Sequence, residues 1–145
     1  MAKMKTIRIA AKSGEDFKVE VQAGKHTFYV DQPEYAGGSD AGPNPLEYFG
    51  ASLAGCIATT ARIVANQKNI RLHGIGMKIA GDFDAGRLLG KGQDNRSGYT
   101  GLQVELDIDA DMTAQQKEDF VEEIRFRAPV FDNISNPTPL IVSCR

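Results

Sequence analysis

The sequence has no tryptophan, and it has only two histidines and two cysteines among its 145 residues. Two cysteines are too few for the disulfide framework of a small secreted domain. The 17 basic and 19 acidic residues nearly balance, which excludes the charge footprint of a protein that binds nucleic acid or an anionic membrane. The first eight residues lack the apolar stretch of a secretory signal. We therefore expect a cytoplasmic protein with reduced thiols and neither nucleic acid nor membrane as a partner.

The sequence also lacks the residue spacing that metal-binding and phosphate-binding sites need. His26 and His73 share no ligand spacing with Cys56 or Cys144, and a zinc site needs three or four converging ligands. The glycine-rich segment 86–92 has the wrong spacing for a phosphate-binding loop, and no Ser or Thr follows Lys91. The sequence therefore predicts no metal and no cofactor.

What the chain does contain is a strand-rich start followed by alternating helical and strand patterns. Alternating polarity predicts strands, a capping residue before an apolar run predicts a helix start, and glycine and proline clusters predict loops. The pattern predicts an α+β fold in one domain over 1–145. The predicted order is βββ-α-ββ-α-β, with strands at 5–10, 16–22, 26–31, 74–83, 99–109 and 140–143, and helices at 45–69 and 113–127.

The most apolar stretch, 46–65, has about the length of a membrane span. It nevertheless contains Glu47 and Arg62, and much of its apolarity comes from alanine and glycine. Because charges are costly in lipid, a helix buried inside a globular fold is the better interpretation.

Cys56 lies in the middle of this predicted helix. Ser52, Thr59 and Thr60 share a helix face with it, so their hydroxyls either donate to a thiolate or bond to their own helix carbonyls. Cys56 is about three turns into the helix, beyond the reach of the N-terminal dipole, so activating it would require a cation from elsewhere. Composition alone leaves both an inert buried cysteine and a reactive one open.

The segment from Gly42 to Cys56 resembles the motif of the OsmC/Ohr family, the osmotically inducible protein C and organic hydroperoxide resistance proteins. The shared features are the Asn44-Pro45 helix start, a run of small residues and a cysteine at the twelfth position after Asn44. The predicted element order agrees as well. The resemblance implies an intertwined homodimer with active sites at the subunit interface. It also implies reduction of organic hydroperoxides by one cysteine, with a second cysteine that resolves the sulfenic acid as a disulfide.

Carried over by position, the family's site is only partly present. Cys56 matches the attacking cysteine, whereas Leu46 occupies the position of the family's glutamate, and Glu47 is an acid displaced by one residue from that position. The resemblance also implies an arginine, from the loop before the helix, that stabilises the attacking thiolate and is oriented by the glutamate. The loop 32–43 contains no arginine, and Ala128 replaces the resolving cysteine. Cys144 does not match the resolving position. Arg125 and Arg127 lie beside Ala128, in a region that the resemblance places near the cysteine, and either is a possible substitute cation.

Three functions follow from this comparison. The first is a thiol enzyme in which Cys56 reacts with a small apolar hydroperoxide and an external thiol acts as reductant. The second is a non-catalytic module that binds another apolar ligand, and the third is a structural dimer. The predicted pocket residues are Leu46, Phe49, Ser52, Leu53, Thr60, Ala128 and Phe131.

Overall fold

The computed structural model describes residues 1–92 and 94–145 and confirms the α+β class. The chain forms two compact units, 1–51 and 52–145, and the boundary between them lies inside one helix. The single domain over 1–145 stays a prediction. The elements are β1 (Ile9–Ser13), β2 (Val19–Ala23), β3 (His26–Val30), α1 (Pro45–Lys68), β4 (Leu72–Phe83), α2 (Ala85–Leu88), β5 (Tyr99–Ala110), α3 (Ala114–Arg127) and α4 (Pro129–Ser135).

The first unit contains the predicted antiparallel meander β1-β2-β3. Val21 pairs with Ala11 on one side and Phe28 on the other, and Gly24, with φ of 58°, takes the left-handed conformation in the tight β2–β3 turn. Every residue of β1 is exposed, whereas Val21 on the central strand is buried.

The loop after β3 is organised by the buried carboxylate of Asp31. Its oxygens accept hydrogen bonds from the backbone N–H of Gln32 at 2.7 Å, the Ser39 hydroxyl at 2.8 Å and the Ala41 N–H at 3.1 Å. The bonds from Ala41 and Ser39 hold the pKa of Asp31 below its usual value. Gly38 is required here, because a Cβ would lie 1.9 Å from the Gln32 carbonyl oxygen. The loop leading to α1 is therefore held in a defined conformation.

The second unit packs the buried side of α1 with the long β4–β5 hairpin and α3. The core residues are Leu53, Ile57, Ala61, Val64, Ala65, Leu72, Ile108, Phe120 and Ile124. By length and composition α1 is long and apolar enough to cross a membrane, but the core helix of a soluble protein meets the same criterion. Since α1 supplies most of this core, we interpret it as a core helix, in agreement with the sequence.

The end of the chain differs from the prediction. The capping box at Thr113 and Gln116 starts α3 as expected, but a short helix, α4, follows it, and residues 137–145 form no strand. Pro129 favours the helix because its fixed φ suits the first turn. Pro137 and Pro139 lack the N–H that a sheet ladder needs, and no strand of the described residues pairs with the tail. The predicted strand at 140–143 was therefore wrong.

The predicted loop 84–98 contains α2, capped by Asp84.

Candidate functional site

The structure places Cys56 beside a cavity in the second unit. The residue lies on α1, is half-buried and forms no disulfide. The cavity has a volume of about 490 Å³, and its wall combines apolar groups with hydroxyls. Its lining residues are Ser52, Gly55, Cys56, Thr59, Thr60, Ile63, Arg127, Pro129 and Val130. A thiol at such a cavity has both a binding space and access for a small molecule.

A backbone group donates a hydrogen bond to the Cys56 sulfur. The N–H of Val130 donates to Sγ at 3.4 Å. Val130 is the second residue of α4, and the first N–H groups of a helix have no partner within the helix. The Pro129 start thus leaves the Val130 N–H available to the sulfur.

The two candidate arginines are engaged with other residues. Arg127 lines the cavity, but its guanidinium donates to the carboxylate of Glu123 at 3.1 Å and to the amide oxygen of Gln67 at 2.7 Å. Gln67 lies about three helical turns beyond Cys56 on α1. Arg125 donates to Glu122 at 2.7 Å and covers the ring of Phe131. Their role as substitute cations stays a prediction.

Glu123 is the acid that orients Arg127. It also accepts a hydrogen bond from the Lys68 ammonium group at the end of α1. Lys68, with a smaller contribution from Arg127, holds the pKa of the Glu123 carboxyl below its ordinary value. Glu123 therefore stays ionised at neutral pH and fixes the guanidinium of Arg127.

Glu47 has a local structural task. Its carboxylate accepts a hydrogen bond from the Asn44 N–H at 2.7 Å, and the Asn44 side-chain oxygen accepts from the Glu47 N–H at 2.9 Å. This reciprocal pair is a capping box at the start of α1. The first unit holds all of these atoms, whereas Cys56 belongs to the second unit.

The predicted pocket residues are distributed over the chain. Ser52 and Thr60 line the cavity, Leu53 and Ala128 are buried in the second unit, and Phe131 packs against its core. Leu46 and Phe49 belong to the first unit, where Leu46 is half-buried and Phe49 is exposed.

The sequence did not predict Val130 as a partner of the sulfur. The available signal was Pro129, since a proline that starts a helix leaves the following N–H without an intrahelical acceptor. Thr59, which the sequence placed on the same helix face as Cys56, lines the cavity, as do Ile63 and Gly55. Ile63 lies seven residues after Cys56, and this helical spacing was the signal for it. Residues 1–92 and 94–145 contain no group of three acidic, His or Cys residues that could hold a metal ion.

Comparison with known proteins places the chain in one family. The model of the OsmC-like protein family matches residues 37–143. No curated protein is similar enough in sequence to count as a match.

Solved structures share the fold over nearly the whole chain. An OsmC-like protein from Mycoplasma pneumoniae has a TM-score of 0.78 at 19% identity, covering 92% of this chain and 89% of that one. The Legionella pneumophila organic hydroperoxide resistance protein OsmC has a TM-score of 0.64 at 23% identity, with coverage of 92% and 91%. The organic hydroperoxide resistance protein OhrB of Bacillus subtilis has a TM-score of 0.58 at 20% identity, with coverage of 92% and 93%. With a family model matched over most of its length and this fold, the chain belongs to the OsmC-like family.

Proposed function

We propose that this protein is a cysteine-dependent organic hydroperoxide reductase that acts as a cytoplasmic homodimer in defence against oxidative stress. The observation that carries the proposal is the Cys56 sulfur, which lies at a cavity and accepts the Val130 N–H at 3.4 Å. Family membership and the hydroperoxide resistance proteins among the structural neighbours support it.

The chemistry requires little beyond the thiolate and its surroundings. The Cys56 thiolate attacks the outer oxygen of the hydroperoxide, so a sulfur–oxygen bond forms, the O–O bond breaks and the alcohol leaves after taking a proton. The sulfur becomes a sulfenic acid. An external thiol then displaces water to form a mixed disulfide, and a second thiol equivalent releases Cys56. The Val130 N–H stabilises the anionic sulfur before the attack.

The cavity wall selects the kind of peroxide. Ile63, Pro129 and Val130 provide apolar surface beside the sulfur. Burying an apolar substituent stabilises a complex by about 25 cal/mol for each Å² removed from water. Hydrogen peroxide has no such substituent. We therefore expect an organic hydroperoxide to be reduced in preference to hydrogen peroxide.

The test is a peroxide-consumption assay with cumene hydroperoxide and excess dithiothreitol. We expect the wild-type protein to consume the hydroperoxide and Cys56→Ser to lose at least about 100-fold, the scale for removal of a catalytic group. Hydrogen peroxide at the same concentration serves as the matched substrate control. Equal rates for wild type and Cys56→Ser would refute the enzymatic function.

A non-catalytic binding module is the second candidate, and the arginine contacts favour it. Both guanidinium groups, of Arg125 and Arg127, are held by other residues, with Glu123 and Gln67 fixing Arg127. On this alternative the cavity holds an apolar molecule, and Cys56→Ser binds it as well as the wild type does. A thermal-shift titration of both proteins with cumyl alcohol distinguishes the two functions when it is combined with the assay.

A further inference from the structure

We propose that the hydroxyl of Thr60 is a second catalytic group of this site, which donates a hydrogen bond to the oxygen that leaves when Cys56 attacks a hydroperoxide. This inference rests on the proposed function, because it assigns a role within the same reaction. Breaking the O–O bond develops negative charge on the leaving oxygen, and a fixed donor aimed at developing charge lowers the barrier.

Thr60 is a buried polar residue in the wall of the Cys56 cavity. It is 6% exposed. Within the described residues its hydroxyl bonds neither to the Cys56 sulfur nor to a carbonyl of its own helix. No fully enclosed side-chain oxygen or nitrogen of the described structure lacks a partner, so this oxygen opens into the cavity. The Thr60 hydroxyl is therefore available to a molecule that binds there.

Two other polar residues of the cavity wall differ from Thr60. Thr59 is exposed, so water competes for its hydroxyl. Arg127 already donates to the carboxylate of Glu123 and to the amide oxygen of Gln67. Thr60 combines burial with a hydroxyl that has no competing bond, and a donor shielded from water interacts more strongly with charge.

The helix places Thr60 close to the reacting sulfur. Residues 56 and 60 are one turn apart on α1, so their Cβ atoms lie about 5–6 Å apart on one helix face. Helical side chains lean toward the N-terminus, which directs Thr60 over the turn that carries Cys56.

This spacing fits a bound O–O group. An outer oxygen at about 3–3.5 Å from the sulfur is placed for attack. The inner oxygen is one bond further away and can then lie within the roughly 2.5–3.0 Å of an O–H···O hydrogen bond to Thr60. One side chain thus reacts with the first oxygen while the other binds the second.

The step balances with the groups named. The Cys56 thiolate gives an electron pair to the outer oxygen, so the S–O bond forms and the sulfur is oxidised to the sulfenic acid. The electron pair of the O–O bond moves to the inner oxygen, which leaves as an alkoxide and takes a proton from water. Thr60 keeps its own proton and stabilises the alkoxide through the hydrogen bond.

The first experiment compares Thr60→Val with Thr60→Ser. Valine has nearly the shape of threonine without the hydroxyl, whereas serine keeps the hydroxyl. We expect Thr60→Val to lower kcat/KM for cumene hydroperoxide in the dithiothreitol assay at least about tenfold, the scale for a hydrogen bond to a charged group. Thr60→Ser should restore most of the rate.

A second readout separates this role from packing. Iodoacetamide alkylates Cys56 with iodide as the leaving group, which needs no hydrogen bond from Thr60. We therefore expect Thr60→Val to be alkylated at the wild-type rate and to unfold at the same or a higher urea concentration, because the removed hydroxyl has no protein partner.

The leaving group provides the sharpest comparison. Peroxybenzoic acid also carries an aromatic ring, but it releases benzoate, a far weaker base than the cumyl alkoxide. Less charge stabilisation is then needed, so the slowing caused by Thr60→Val should be clearly smaller with peroxybenzoic acid than with cumene hydroperoxide.

The outcomes separate the two proposals. If the wild-type protein does not consume cumene hydroperoxide, the proposed function fails, and the role of Thr60 fails with it. If the wild type is active and Thr60→Val has the same kcat/KM, the inference alone is overturned. Parallel slowing of peroxide reduction and alkylation, or equal slowing with both peroxides, would also overturn it, since the hydroxyl would then not act on the leaving oxygen.

Discussion

At the scale of the residue, the reactivity of Cys56 depends on what faces its sulfur. A main-chain N–H, that of Val130, donates to this sulfur. A main-chain donor is fixed by the start of α4 and involves no long side chain that must be ordered. The hydrogen bond to Cys56 therefore comes from the backbone, and it does not depend on which side chain residue 130 carries, unless that residue is proline.

The hydrogen bond from the Val130 N–H to the Cys56 sulfur can be tested with Val130→Pro. This substitution removes the N–H but keeps an apolar side chain in the first turn of α4, where proline is tolerated. A hydrogen bond to a charged group contributes about 1.5 kcal/mol or more, equivalent to roughly tenfold. We expect Cys56 to be alkylated by iodoacetamide about tenfold more slowly at pH 7. Val130→Ala retains the N–H and should react at the wild-type rate. Equal slowing in both variants would assign the effect to packing.

At the scale of the element, α1 serves a core and a site at once. Its buried side carries Leu53, Ile57 and Val64, while Cys56 and Thr59 face the cavity. Its first turn is closed by the reciprocal bonds of Asn44 and Glu47. The helix start that resembles the family motif therefore also caps the N-terminus of α1.

The capping assignment is tested with Glu47→Gln and Glu47→Ala. Glutamine keeps an oxygen that accepts the Asn44 N–H, so we expect little change in the free energy of unfolding. Alanine removes it, and we expect a loss of about 1 kcal/mol in urea denaturation. Both variants should keep the wild-type alkylation rate of Cys56. A marked slowing with Glu47→Gln would instead identify Glu47 as a functional acid.

At the scale of the whole molecule, the chain leaves much apolar surface uncovered. Ile9 on the edge strand β1 is 57% exposed, and Phe17 and Tyr35 are 58% and 94% exposed. Exposed apolar groups and an unpaired edge are typical of surfaces that associate with another chain. This exposure agrees with the homodimer that we propose.

We expect sedimentation equilibrium at micromolar concentration to give twice the mass of one chain. Ile9→Lys places a charge on the exposed edge and should shift the protein toward the monomer. Lys12→Gln, on the same strand, removes a surface charge without loss of apolar area and should leave the dimer intact. A wild-type protein that sediments as a monomer would contradict the dimer.

The sequence by itself determined the order and type of most elements and the position of Cys56 on a core helix. These follow from local periodicity, capping residues and glycine or proline breaks, which act over a few residues, as at Thr113 and Gly24. Only the tertiary structure decided that the Val130 N–H reaches the sulfur, that Arg127 donates to Gln67, and that 140–143 is not a strand. The physical reason is that each of these depends on groups that are distant in the chain. Packing brings the distant groups together at the sulfur and at Arg127, whereas residues 140–143 have no strand to pair with among the described residues.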